Sequence, residues 1–422
     1  SRLRVRTNAS GDGPEEEVRV DKLTIEERTP DVAFAIPSPA TMSVQLSWEA
    51  SGLGGAFQRY EIRRATAANV TPASTLVASF TNLNTTAHVD TGLEIGKLYY
   101  YRLFVVDQND TYSLGVERSV LTTPQPLGFS DAMEDTAAWN TTGGWAPDPD
   151  NPHGGAMSAG DSPGSNYPPS ADMMLYSSFD LSAASWPVLT FWDRFALGNG
   201  DWLRVEISPD GTTWSYLYGV HGIASRASWA RQRIDLSPWK GQANVRIRFR
   251  LGSDGDAGTT ADGWNVDDVS VAEHAAPAPA NGFQDGFEEG LDNWLAAAWV
   301  VDTVSPHEGA ACAYDGDFTR IGPSVSHYLT LAREVDLSGM SAPTLTLWAR
   351  ARLTYRSWYR VEVSNNGGVS WSELVGAGFS YTSDNSWSRQ QADLSPYIGQ
   401  TIRLRVRING SADAPDEEVR ID

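Results

Sequence analysis

Residues 124–274 and 282–422 carry one pattern written twice. "LGFSDAMEDTAAWN" is answered by "NGFQDGFEEGLDNW", "PVLTFWDR" by "PTLTLWAR", and "DWLRVEISPDGTTW" by "SWYRVEVSNNGGVSW". "WARQRIDLSPWKGQ" is answered by "WSRQQADLSPYIGQ", and "VRIRFRLG" by "IRLRVRIN". A duplication on this scale means two structural units of the same kind, each with its own core. Within each copy, short runs of alternating apolar and polar residues recur between Gly, Pro, Asn and Asp. That is the pattern of an all-β sandwich, and almost nothing in the chain reads as helix.

The rest divides around this pair. Residues 28–123 form a separate block, in which "VQLSWEA" puts Val44, Leu46 and Trp48 on one face. "LEIGKLYYYRLFVVD" then places Leu93 before Tyr99, with Tyr101, Leu103 and Val105 alternating onward. This block resembles a fibronectin type III domain, with Trp48 as the early-strand tryptophan and Tyr99 as the tyrosine-corner residue. The resemblance implies a seven-stranded spacer or adhesion module and names no ligand. Residues 275–281 are an Ala/Pro linker, which predicts an extended, semi-rigid connection. The expected fold class is all-β: tandem β-sandwiches, one fibronectin type III-like and two jelly rolls, arranged as an elongated rod.

The two copies resemble the jelly-roll modules of the MAM-like class, found in bacterial secreted proteins and in the tails of immune-inhibitor-type proteases. The residues that carry the likeness are the "GFSDAMED" and "GFQDGFEE" openings, the "SPDGTTW" and "SNNGGVSW" hairpins, and the "GWNVDDVSV" close. The second copy stops at Asp422, before the strand that Val269–Val271 supply in the first.

Residues 1–27 belong to the same pattern. Arg2–Asp21 lies over Arg403–Asp422 without a gap, with 14 identities in 20 positions. They read as the terminal strands of a preceding jelly roll, and the spacing gives a period of about 401 residues. The expected role is a structural repeat unit of an extracellular fibre or giant cell-surface adhesin, its partners neighbouring copies joined head to tail. Covalent continuity is favoured over strand donation, because donated Arg2–Asp21 would duplicate strands the acceptor already has. The alternative is a carbohydrate- or protein-binding accessory tail of a secreted hydrolase, with surface glycans or proteins as partners.

Composition narrows this further. The net charge is −21 and only three Lys stand among 32 basic residues, so no basic face exists for a nucleic acid. No apolar run is long enough to insert in a membrane. The single Cys312 has no internal disulfide partner. The expected location is extracellular or at a bacterial cell surface.

Catalytic motifs are missing. His307-Glu308 opens like a zinc-protease motif, but Ala311 stands where the second His belongs, and His153 fills the same place in the other copy. Both read as turn residues, and no enzyme activity is expected. Twelve of the 16 Trp fall in matched pairs, among them Trp192/Trp348 in apolar strands, read as core. The unpaired Trp186, Trp239 and Trp264 are the first candidates for stacking on sugars. Trp214 and Trp371 close a hairpin resembling an Asp-box, a folding device.

A metal site is the remaining candidate. Asp21, Asp267 and Asp422 share one position in three copies of the closing strand, and the apolar register shifts by one residue just after it, which predicts a β-bulge. Glu134 and Glu288 occupy matched positions in the opening strand. Glu134 with Asp267, and Glu288 with Asp422, would suit Ca²⁺, a hard ion wanting six to eight oxygens. The jelly-roll resemblance also implies a structural calcium between these two ends. The alternative is that the carboxylates cap turns or pair with Arg. Asp254 and Asp256 in "DGDAGTTADG" are spaced like a calcium loop, although a solvated acidic turn is the better reading of such turns.

Overall fold

The computed structural model describes residues 29–315, 326–353, 357–378, 386–410 and 418–422. The expectations for residues 1–27 and for the acidic turn 413–417 lie outside the described residues. The chain divides into two compact units. Of the described residues, the first takes 29–38, 44–90 and 98–120, and the second takes 39–43, 91–97 and 121–422.

The block 28–123 has seven strands in two sheets, as expected. One sheet orders Ser38–Pro39, Ser43–Ser47 and Ala87–Thr91; the other orders Thr75–Phe80, Phe57–Ala65, Leu98–Asp107 and Val116–Leu121. Alternation decides which residues enter the core. Val44, Leu46 and Trp48 are buried from one sheet, and Tyr60, Ile62, Tyr101, Leu103 and Val105 from the other. Trp48 meets Tyr60 edge-on, with centroids 5.7 Å apart. Leu93 and Tyr99 are both buried.

The first jelly roll has one sheet ordered Ala146–Asp148, Ser158–Gly160, Gly263–Glu273, Pro187–Leu197 and Ala224–Asp235. The short strand Phe129–Asp131 pairs with the lower half of Gly263–Glu273. The facing sheet orders Ser215–His221, Trp202–Ser208, Val245–Gly252, Asp172–Phe179 and Asn140–Thr142. Val245–Gly252, "VRIRFRLG", shows how period two builds the sandwich: Val245, Ile247, Phe249 and Leu251 are buried, while Arg246, Arg248 and Arg250 face outward.

The second jelly roll repeats this plan. One sheet orders Trp294–Ala296, Ser326–Leu331, Thr401–Asn409, Trp358–Ser364 and Ser372–Gly378. The other orders Val300–Asp302, Cys312–Tyr314, Glu418–Ile421, Thr344–Arg352 and Ser388–Asp393. The only helical pieces among the described residues are three 3-10 turns, Gly54–Ala56, Ser237–Trp239 and Ser395–Tyr397.

The hairpin read as a folding device is one. Asp210 Oδ1 accepts N–H bonds from Thr212 and Thr213 at 2.7 Å each, and Gly211 sits at φ +73°. These bonds hold the Asp210 carboxyl well below the usual carboxylate range. In the second copy Asn366 Oδ1 accepts from Ser370 N at 3.0 Å, and Trp371 Nε1 donates to Gly368 O at 3.0 Å.

The two jelly rolls are packed against each other. Trp186 and Val188 of the first form a buried cluster with Leu295 and Ala332 of the second. The Arg403 guanidinium lies 3.4 Å from the centroid of the Trp186 ring and donates to Ser237 Oγ at 2.9 Å. The Ala/Pro linker touches the second copy where Asp336 N donates to Ala280 O at 3.1 Å, and just before the linker His274 Nε2 donates to Ala332 O at 2.8 Å.

Candidate functional site

Two kinds of place combine several chemically capable side chains. The first is a corner present in both copies, where the turn after Pro152 or Pro306 meets the opening and closing strands. Asp267 Oδ2 accepts from His153 N at 2.8 Å and Gly154 N at 3.1 Å, and Glu134 Oε1 accepts from Ala156 N at 2.9 Å. In the second copy Asp422 Oδ2 accepts from His307 N at 2.8 Å and Glu308 N at 3.0 Å, while Glu288 Oε1 accepts from Ala310 N at 2.8 Å. Glu134 and Asp267 therefore accept from one turn, and Glu288 and Asp422 from the matching turn of the second copy. The bulge is present too: the register of Gly263–Glu273 on Pro187–Leu197 shifts between Asp267 and Ser270, and Asp268 takes φ +46°.

These carboxylates cap backbone N–H groups. Among the described residues no three Asp, Glu, His or Cys side chains cluster as metal ligands. A Ca²⁺ ion here would have to draw most of its six to eight oxygens from backbone carbonyls. Asp254 and Asp256 do not join either corner. Asp254 Oδ1 accepts from Asp256 N, and Asp256 Oδ1 from Gly258 N, both at 2.8 Å, so each caps its own loop.

The histidines of both corners stack on tryptophan. The His153 ring lies 3.9 Å from Trp192 at 18°, with Trp229 edge-on at 5.9 Å. His307 repeats this with Trp348 at 3.8 Å and 16°, and Trp387 at 5.8 Å. Trp192 and Trp348 are thus not core. Their buried neighbours Phe191 and Leu347 fill the core, and period two turns the tryptophans outward onto the imidazoles.

The second place is an open cleft of about 480 Å³ between the two jelly rolls. Tyr216 and Trp239 come from the first copy, Tyr328 and Trp371 from the second. Glu362, Arg405 and Arg407 line it too. Arg405 Nε donates to Glu362 Oε2 at 2.6 Å, and the Arg405 guanidinium lies 4.1 Å from the Trp371 centroid and 4.9 Å from that of Tyr328. Burial pulls the Arg405 guanidinium below its ordinary value, against the attraction of Glu362. Trp239 stands half-buried on the 3-10 turn Ser237–Trp239. Behind it Asp235 Oδ1 accepts from Ser237 N at 2.9 Å, while Asp235 Oδ2 is buried with no partner.

Of the three unpaired tryptophans, only Trp239 is available to a ligand. Trp186 is buried beneath Arg403, and Trp264 is fully buried with Nε1 donating to Asp193 Oδ2 at 3.2 Å. Cys312 is fully buried, and burial pushes its thiol up to about 12, which removes the thiolate a nucleophile needs. Two features escaped sequence reasoning: the buried Asp193 network, flagged only by Ala349 in the matching place, and the cleft, whose walls come from both copies.

No family model matches the chain. An alignment 186 positions long, covering 40% of the chain, is 29% identical to Bacillopeptidase F of Bacillus subtilis (strain 168). The match spans about 12% of that protein's length. Among solved structures, a TmCBM61 complex with β-1,4-galactotriose covers 32% of this chain and 90% of its own, at 20% identity and a TM-score of 0.25. The tandem CBM22-1–CBM22-2 region of Paenibacillus barcinonensis Xyn10C covers 71% of this chain and 98% of its own, at 13% identity and 0.24. The chicken CNTN1 FN1–FN3 domains cover 93% and 97%, at 9% identity and 0.23. Among the described residues no helix is long and apolar enough to cross a membrane.

Proposed function

We propose that this chain is a non-catalytic binding region of a secreted bacterial protein, and that the cleft between its jelly rolls holds a carbohydrate chain. One observation carries the reading: four aromatic residues, two from each copy, line a single open cleft together with Glu362, Arg405 and Arg407. Aromatic faces with a few fixed polar groups are what a sugar ring needs, apolar contact on one side and directional hydrogen bonds at its rim. The partial likeness to Bacillopeptidase F supports an accessory region of a larger exported protein. The repeat-unit reading rests on the overlap of Arg2–Asp21 with Arg403–Asp422, whose first member lies outside the described residues.

A glycan array followed by calorimetry tests this. The intact chain should bind one class of glycan, and Trp239→Ala should weaken it about tenfold or more, as loss of a central aromatic anchor does. Tyr328→Ala should do the same from the other copy. Absence of any glycan hit, or a hit untouched by both substitutions, overturns the reading. A protein partner sensitive to both substitutions would keep the cleft and change the ligand class.

A further inference from the structure

Beside the cleft lies a smaller recess of about 40 Å³. It shares Trp239, Tyr328 and Arg405 with the cleft. Leu217, Ile234 and Asp235 of the first jelly roll and Thr330 of the second line the rest. Its walls, like those of the cleft, come from both copies. A space of this size holds a water or a short branch of a ligand, and no ring.

The turn that carries Asp235, "DLSPW" (Asp235–Trp239), recurs in the second copy as "DLSPY" (Asp393–Tyr397). The aspartate caps the turn in both. Asp235 Oδ1 accepts from Ser237 N at 2.9 Å, and Asp393 Oδ1 accepts from Ser395 N at 2.8 Å. Asp393 is exposed, so water reaches its second oxygen. Asp235 stands in the seam of the two copies, and among the described residues nothing donates to its Oδ2, which is buried. A carboxylate oxygen buried without a donor costs free energy that an incoming N–H or O–H recovers.

The lining suits a branch with one donor, one acceptor and an apolar end. Asp235 Oδ2 takes the donor. The Thr330 hydroxyl and the Arg405 guanidinium, which gives Nε to Glu362 and carries further N–H groups on the same fork, serve the acceptor. Leu217, Ile234 and the rings of Trp239 and Tyr328 take the apolar end. An acetamido group has all three parts. A uronate carboxylate would meet Asp235 with like charge, and a hydroxymethyl would turn a hydroxyl toward Leu217 and Ile234.

We propose, on the carbohydrate reading of the cleft, that its ligand is a glycan of N-acetylated hexosamine, with one acetamido group seated in this recess. The acetamido N–H donates to Asp235 Oδ2, its carbonyl oxygen accepts from Thr330 or Arg405, and its methyl packs among Leu217, Ile234 and Trp239. Asp235 then acts twice: one oxygen caps the turn that presents Trp239, and the other reads the acetamido N–H.

Calorimetry of the full chain with matched sugars tests this: chitotriose against cellotriose, and N-acetylgalactosamine against galactose. Each pair differs only in the acetamido group. In at least one pair the N-acetylated member should bind about tenfold or more tightly, because a site built for a hydrogen-bonding group rejects the analogue that lacks it. In saturation-transfer NMR the acetyl methyl of that sugar should take up the strongest saturation, a readout that needs no substitution. Asp235→Asn keeps an oxygen for Ser237 N and puts an N–H donor in place of Oδ2, so it should cut the preference about tenfold. Glycans that bind through Trp239 without preferring the acetamido group overturn the proposal and leave the carbohydrate reading standing. Absence of any glycan binding overturns both. A preference that survives Asp235→Asn, or saturation centred on the ring protons in place of the methyl, also overturns the proposal.

Discussion

Gly155 and Gly309 hold the two carboxylate corners in shape. Both are left-handed, at φ +59° and +70°. A Cβ at Gly155 would stand 1.6 Å from Glu134 Oε1, and one at Gly309 would stand 1.8 Å from Glu288 Oε1. Alanine would therefore meet the left-handed backbone penalty, ~1–2 kcal/mol. It would also push the glutamate off its N–H donor, ~1 kcal/mol more. Gly155→Ala should lose about 2–3 kcal/mol in urea denaturation. Combined with Glu134→Ala it should cost less than the sum, because both remove the same bond. The corners also carry our calcium proposal, with the ion at Glu134 and Asp267 and at Glu288 and Asp422. An ion bound only to the native state raises Tm by mass action. Chelator should lower the melt, calcium should restore it, and Glu134→Gln/Glu288→Gln should abolish the response while Asp256→Asn leaves it intact. Identical melts with and without calcium reject the ion and leave the carboxylates as acceptors of N–H bonds.

At the scale of the element, the strand Pro187–Leu197 shows what a pattern can and cannot tell. Its inward positions read Leu189, Phe191, Asp193, Phe195 and Leu197, so an aspartate occupies a core site. Asp193 is fully buried and gathers Arg226, Gln232 Nε2 at 2.9 Å, Tyr218 OH at 3.0 Å and Trp264 Nε1 at 3.2 Å. Burial pushes its carboxyl upward, against the pull of Arg226 and these donors. The second copy has Ala349 there, itself buried. Asp193→Ala should therefore cost ~3–5 kcal/mol, since it leaves Arg226 buried without its counter-ion. Asp193→Asn, which keeps an acceptor, should cost less; equal losses in urea denaturation would refute this. The strands, the hairpin and the bulge were legible because each follows from local spacing, and the duplication prints the strands and the hairpin twice. Trp192 was misread because a tryptophan in an apolar strand looks like core until the phase of the alternation is known. Trp186 and Trp264 looked free because their covers, Arg403 and Asp193, are distant in sequence. The cleft was invisible for the same reason, since Trp239 and Tyr328 meet only when two copies pack.

At the scale of the whole molecule, the packing of one jelly roll on the other places a titratable group in its seam. His327 is fully buried, its ring 6.4 Å from Tyr218 of the first copy, and its Nε2 donates to Gly219 O at 3.1 Å. Burial pushes its imidazole down to about 4, and the bond to Gly219 only partly opposes this. The ordinary value is about 6.5, so between those limits the unfolded chain binds a proton that the folded chain refuses. Stability from this group is complete above pH 6.5 and is lost as pH falls toward 4, by ~3 kcal/mol at most. Asp161 works in the opposite sense. Burial raises its carboxyl to about 7, so its share of stability declines as pH rises from about 4 to 7. The net profile mixes both, and the comparison must be with a variant that changes the imidazole alone. His327→Gln keeps an N–H donor for Gly219 O and cannot titrate. In guanidinium denaturation the two proteins should run parallel above pH 7, and the wild type should lose ground steadily from pH 6.5 to 4.5. Curves that stay parallel down to pH 4.5 would mean that His327 accepts its proton without leaving the seam, and that water reaches it in the folded pair.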